Sequence, residues 1–225
     1  MRHKDIKPLY ILGVGKTGAH IATLLYYAGI KAEYAFIGNH KNVPDKVRYI
    51  HFKSPRKPLV PGNNLIMVPD MSADYPLPAL LNDILKQDYH FLILAGLGGY
   101  TGTMFTVKTA HLLTFYGHKF TTIVSLPYWF EGVSRSQSAA TALSDLFGMP
   151  DINVVKLDRL NRNLNLTLNM AFKYADLKML DVVNQRFSFG LNLPDIDYGD
   201  YPIFKEVILN DPPRNSSLKS LISSF

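Results

Sequence analysis

Apolar residues fall along this chain in short, nearly unbroken runs separated by stretches of helical period. The runs are LYILGV (9–14), AEYAFI (32–37), NLIMVP (64–69), HFLILAG (90–96), FTTIVSLP (120–127) and INVVKL (152–157). Runs of strand length without polar alternation are buried on both faces, as in parallel sheets. Helical patterns at 18–28, 77–87, 103–116 and 135–147 intervene. Strands alternating with helices imply right-handed crossovers, hence an α/β fold with a mostly parallel, Rossmann-like sheet and helices on both faces. A longer helix is predicted over 160–186, where Leu160, Leu164, Leu168, Ala171, Ala175, Met179 and Val182 form one core-facing stripe. The proline-rich segment 40–62 reads as a long loop with one short strand, VRYIHF.

Composition narrows the class. Of 225 residues, 47% are apolar and 19% charged, which suits one large domain and excludes wholesale disorder. No apolar run is long enough to span a membrane. The basic opening MRHKDIKPLYILGVG runs into a glycine loop and not a cleavage site, so it is not a signal peptide. Cysteine is absent, which excludes disulfide scaffolds, thiolate zinc sites and cysteine nucleophiles and fits a reducing cytoplasm. The net charge of +6 is uneven: residues 1–60 hold 11 Lys+Arg against 3 Asp+Glu, the remainder 13 against 15. That asymmetry suits an anionic ligand near the N-terminal part, although on charge alone a solvated face is the simpler reading. Residues 40–57, basic with Tyr49 and Phe52 interleaved, leave nucleic-acid contact open, with a solvated loop preferred.

Ligands of open α/β sheets lie beyond the carboxyl ends of the strands, so the loops there carry the candidate chemistry. The first, Gly13-Val14-Gly15-Lys16-Thr17-Gly18, fits GxGxxG. A dinucleotide site would want an acidic residue ending the second strand, where Gly38-Asn39 stands, and a Walker loop would want glycine where Tyr10 stands. By itself this loop is either a phosphate contact or a tight turn. The second, Ala95-Gly96-Leu97-Gly98-Gly99-Tyr100-Thr101-Gly102-Thr103, is more specific. Its glycines let successive N–H groups form an anion nest, and Thr101 and Thr103 add hydroxyl donors at a helix start.

The second loop resembles the Gly-Gly-Gly-Thr-Gly-Thr-Gly signature of the tubulin/FtsZ family of GTPases, with Tyr100 and Met104 in place of two glycines. The resemblance covers about residues 6–205. The first loop is then similar to the family's opening glycine run, with Lys16 and Thr17 replacing glycines and His20 at an asparagine position. Pro127-Tyr128-Trp129-Phe130-Glu131-Gly132-Val133-Ser134-Arg135 resembles Pro-Phe-x-Phe-Glu-Gly-x-x-Arg. The resemblance gives Glu131 the ribose and Arg135 the sugar-phosphate end, while Trp129 reads as packing. Ala171-Phe172-Lys173-Tyr174-Ala175-Asp176 resembles Ala-Phe-x-x-Ala-Asp. Phe172 and Asp176 share a helical face: a ring to stack on a purine, and a carboxylate to accept guanine N1–H and the 2-amino group. Asp195-Ile196-Asp197-Tyr198-Gly199-Asp200 resembles the family's catalytic loop, which implies that Asp197 and Asp200 polarise water at the nucleotide of a neighbouring subunit.

The nucleotide contacts so implied are Gly15, Lys16, Thr17, His20, Gly98, Gly99, Tyr100, Thr101, Gly102, Thr103, Glu131, Arg135, Phe172 and Asp176, with GTP or GDP and Mg²⁺ as cofactors. The departures are Gly38-Asn39-His40 after the second strand, no glycine-rich loop near 70–74, and Leu157 at a base-site asparagine. The resemblance also implies a second domain, whereas some 25 residues follow Asp200, as expected of either a natural minimal relative or a piece cut near the domain boundary. The expectation is a tubulin/FtsZ-type GTPase domain over 1–205, ending in a long central helix, and a tail over 206–225. In the tail, Leu218, Leu221, Ile222 and Phe225 have helical spacing and would dock on the domain or on a partner. The expected function is GTP hydrolysis coupled to self-association, as a homo-oligomer or head-to-tail filament, in a bacterial cytoplasm. The alternatives are a non-hydrolysing, nucleotide-gated interaction protein and a Rossmann oxidoreductase.

Overall fold

The computed structural model describes residues 7–38, 44, 47–51, 81, 83–157 and 167–193. Six strands form one sheet: β1 (Leu9–Val14), β2 (Glu33–Gly38), β3 (Arg48–His51), β4 (His90–Gly96), β5 (Lys119–Ser125) and β6 (Ile152–Val155). Their order is β3-β2-β1-β4-β5-β6 and every pairing is parallel. The helices are α1 (Gly15–Tyr27), α2 (Tyr100–Phe115), α3 (Val133–Leu146) and α4 (Leu168–Phe187), with a 3₁₀ turn at Trp129–Glu131.

The unbroken apolar runs are explained by a two-sided core. Leu12 pairs in register with Ala35 and Ile93, and all three face a layer holding Met104 and Val107 of α2 and Ala139 and Leu146 of α3. Ile11, Tyr34 and Leu92, one residue earlier in register, face Ile21, Leu24 and Leu25 of α1 and Met179 and Val183 of α4. Each buried Leu, Ile, Val or Met among them contributes about 1.5–3 kcal/mol on leaving water, and a slip of one residue would exchange the two faces entirely.

The expected elements recur with shifted ends. Helices α1 and α2 begin three residues before the predicted starts, because their first turns are glycine-rich and carry no apolar period. β2 runs one residue later than expected, and β6 stops at Val155, though Leu157 stays buried. The short strand expected in VRYIHF is β3, at a sheet edge. Helix α4 starts at Leu168, where the Thr167 hydroxyl accepts from Met170 N–H. The expected strand 64–69, the start of the helix expected at 77–87, and residues 158–166 and 194–225 lie outside the described residues.

Candidate nucleotide-binding site

The strand order reverses between β1 and β4, and a crevice opens at the carboxyl ends of a parallel sheet at such a switch point. Both glycine loops leave the sheet there. No side chain caps the N-terminus of α1, α2 or α3, and none has an acidic residue in its first turn. Their leading N–H groups and dipoles therefore present positive potential at this end of the sheet.

The glycines divide by what a side chain would meet. A Cβ on Gly18 would lie 1.9 Å from Leu94 O, and one on Gly102 would lie 2.2 Å from Gly96 O. These two exist for close packing of helix on strand. Gly15, at φ +69°, would bring a Cβ within 2.9 Å of Gly102 N, so the two loops lean on each other. Gly99 is different. It has ordinary extended backbone (φ −88°, ψ 153°), and a Cβ there would meet nothing within 4 Å. The bareness of Gly99 is not required by the protein and leaves open the approach to the start of α2.

Around this crevice, Lys16 is exposed, and Thr17, Tyr100 and Thr101 are half-buried. Thr103 is only 2% exposed, and its hydroxyl accepts Gly98 N–H at 2.9 Å. It braces the loop, and the hydroxyl expected as a donor at the helix start is buried.

The loop after β5 forms the next wall. One oxygen of Glu131 accepts the Tyr128 N–H at 2.9 Å, and the other accepts from Arg135 Nη1 at 2.5 Å. Tyr128 is fully buried, and its hydroxyl donates to Ala171 O of α4 at 2.6 Å. Its ring stacks on Phe130 at 4.9 Å, and Phe172 meets both rings edge-on at 6.2 and 6.3 Å. Tyr128 thus fixes the platform to which Phe172, 42% exposed, belongs. Sequence reading overlooked this role, though the aromatic run Tyr128–Phe130 was its signal. Trp129, read as packing, is instead 63% exposed with its ring edge-on to Phe130. Helix α4 runs down the same face of the sheet as α1, bringing Asp176 Oδ2 to 3.2 Å from His20 Nε2. Leu157, where the family has a polar base contact, is buried in the core.

So Gly15–His20, Gly98–Thr103, Glu131, Arg135, Phe172 and Asp176 gather at one end of the sheet. Asp197, Asp200 and most of the basic segment 40–57 lie outside the described residues. At the opposite end of the sheet is a polar cluster that the sequence did not signal. Asp151, at φ +53°, accepts from Thr121 Oγ1 and Arg186 Nη2, each at 2.6 Å, and from Asn153 Nδ2 at 3.3 Å. Burial opposes its charge, but these donors prevail and hold the carboxyl below its ordinary value. Next to it, His90 Nε2 lies 2.9 Å from Thr121 Oγ1, and burial pushes the imidazole down against the pull of Asp151.

In the solved FtsZ of M. jannaschii the same architecture recurs: the match covers 80% of this chain and 54% of that one, with a TM-score of 0.64 and 22% identity. This chain has the tubulin/FtsZ fold. Among curated proteins, cell division protein FtsZ 1 of Pyrococcus woesei is 32% identical over 105 residues, 46% of this chain and 29% of that protein. FtsZ 1 of Thermococcus kodakarensis is 27% identical over 183 residues, 78% and 48% respectively. The chain therefore spans less than half the length of these curated relatives. No family model matches it. Both relatives are archaeal and lend nothing to the expected bacterial source. Among the described residues, no helix is long and apolar enough to cross a membrane.

Proposed function

We propose that the tubulin/FtsZ-like domain of this chain, expected over 1–205, is a cytoskeletal-type nucleotide-binding domain that takes GTP and GDP at the switch-point crevice. The observation that carries the reading is Gly99: a half-buried position with unstrained backbone, where a Cβ would meet nothing within 4 Å, at the uncapped start of α2. Its bareness has a use if an anion sits there. The phosphates would lie across the starts of α1 and α2, with Lys16 within the first turn of α1 as a cation. Arg135 and Glu131 would meet the sugar-phosphate end, Phe172 would stack on the purine, and Asp176 would accept the two guanine donors. Mg²⁺ entering with the nucleotide would offset the phosphate charge; among the described residues no group of three or more His, Cys, Asp or Glu could hold a metal ion by itself.

Hydrolysis belongs to the same proposal. A carboxylate pair from Asp197 and Asp200 of a second copy would take a proton from water as it attacks the γ-phosphorus and GDP leaves. The partners are then guanine nucleotide and further copies of this chain. The relatives lend no weight to the non-hydrolysing alternative. The decisive experiment titrates the chain with GDP and ADP, then follows GTP turnover against protein concentration. Equal affinity for GDP and ADP overturns base recognition, and turnover per molecule independent of concentration overturns the shared site.

A further inference from the structure

His20 stands where the family resemblance places a nucleotide contact, yet its ring reaches Asp176 on another helix, with 31% and 25% of the two side chains exposed. We propose that His20 is a positioning residue for base recognition, acting through Asp176 and not on the nucleotide. The inference rests on the guanine reading above and assigns the orientation of its carboxylate.

A half-exposed aspartate on a helix surface rotates freely about its side-chain bonds. Guanine recognition needs both oxygens held in one plane, one towards N1–H and one towards the 2-amino group. Each carboxylate oxygen has two lone pairs. A donor on Oδ2 from a different element fixes that plane and leaves a lone pair on each oxygen for the base. His20 supplies it from α1, which shares a buried face of the sheet with α4. The stacking ring is held separately: Phe172, one helical turn before Asp176, rests edge-on against Tyr128 and Phe130. Ring and carboxylate are therefore positioned by two independent elements, and only the carboxylate depends on His20.

The test is a double-mutant cycle read with GDP and inosine diphosphate, which keeps N1–H but lacks the 2-amino group. Wild type, His20→Ala, Asp176→Ala and the double variant are titrated with both nucleotides, with thermal unfolding as a folding check. Loss of one charge-assisted positioning bond should weaken GDP by about tenfold. Inosine diphosphate should lose less, so the preference for GDP shrinks. In the Asp176→Ala background the second substitution should change affinity by less than about twofold, because coupled residues are not additive. His20→Gln, which keeps an N–H donor, should recover most of the preference. An equal loss from His20→Ala in both backgrounds, or an unchanged preference for GDP over inosine diphosphate, overturns the proposal while leaving the nucleotide site standing. A wild type that binds neither nucleotide removes both.

Discussion

Bare positions in the two glycine loops look alike in sequence and differ sharply in what a side chain there would meet. Gly18→Ala and Gly102→Ala each drive a methyl into a backbone carbonyl. Overpacking of this kind costs about 1–3 kcal/mol or more, so both should lower the melting temperature by several degrees. At Gly99 a Cβ would meet nothing within 4 Å and the extended backbone strains no side chain, so Gly99→Val should fold. It should leave the circular dichroism spectrum and melting temperature nearly intact while GDP binding is lost. If Gly99→Val binds GDP like wild type, the phosphate path lies elsewhere. Asp176→Ala should weaken GDP by roughly 2–4 kcal/mol, since two hydrogen bonds to an ionised acceptor go, and should leave ADP unchanged in a competition titration.

At the scale of elements, α4 joins the two ends of the sheet. Its first turns carry Phe172 and Asp176, and near its end Arg186 pairs with Asp151. Asp151 sits in the left-handed region, which aspartate and asparagine tolerate better than most side chains. Arg186→Ala removes one partner of a pair that is half open to water, so the expected loss is only about 0.5–1 kcal/mol. Thr121→Val should cost more, about 1–3 kcal/mol, because it strips a buried donor from Asp151. The pH response follows from the directions of the shifts. The folded Asp151 carboxyl titrates below its unfolded value, so its contribution is complete above about pH 4 and fades as pH falls through the folded value. The folded His90 also binds its proton less readily than the unfolded chain, so stability is full above about pH 6.5 and declines below it. Urea midpoints at pH 7.5 and 5.5 should therefore differ in wild type and converge in His90→Gln.

For the whole molecule, the proposed hydrolysis rests on Asp197 and Asp200, which lie outside the described residues. If Asp197 and Asp200 of one copy serve another, Asp200→Ala should bind GTP like wild type yet not turn it over. Mixing it with Gly99→Val should then restore part of the rate, since one copy brings the nucleotide and the other its carboxylates. A carboxylate base contributes about 10²–10⁴-fold, so partial rescue is measurable by phosphate release. Loss of GTP binding in Asp200→Ala would contradict the division of labour.

Five of the six expected strand runs, the helices between them and the two glycine loops were legible in the sequence, because burial on both faces and glycine density leave signals within a few residues. The fold class followed from their alternation. The strand order was not legible: parallel neighbours are joined by long crossovers, and the order 3-2-1-4-5-6 that sets both glycine loops at one crevice is a property of the assembled sheet. Nor did the sequence separate Gly99 from Gly102, or solvent-exposed Trp129 from buried Tyr128, since each pair shares a local pattern and differs only in what lies across the interface. The meeting of His20 with Asp176 was likewise a tertiary matter. The two residues lie on helices at opposite ends of the described chain, and only packing both helices on the same face of the sheet brings imidazole to carboxylate.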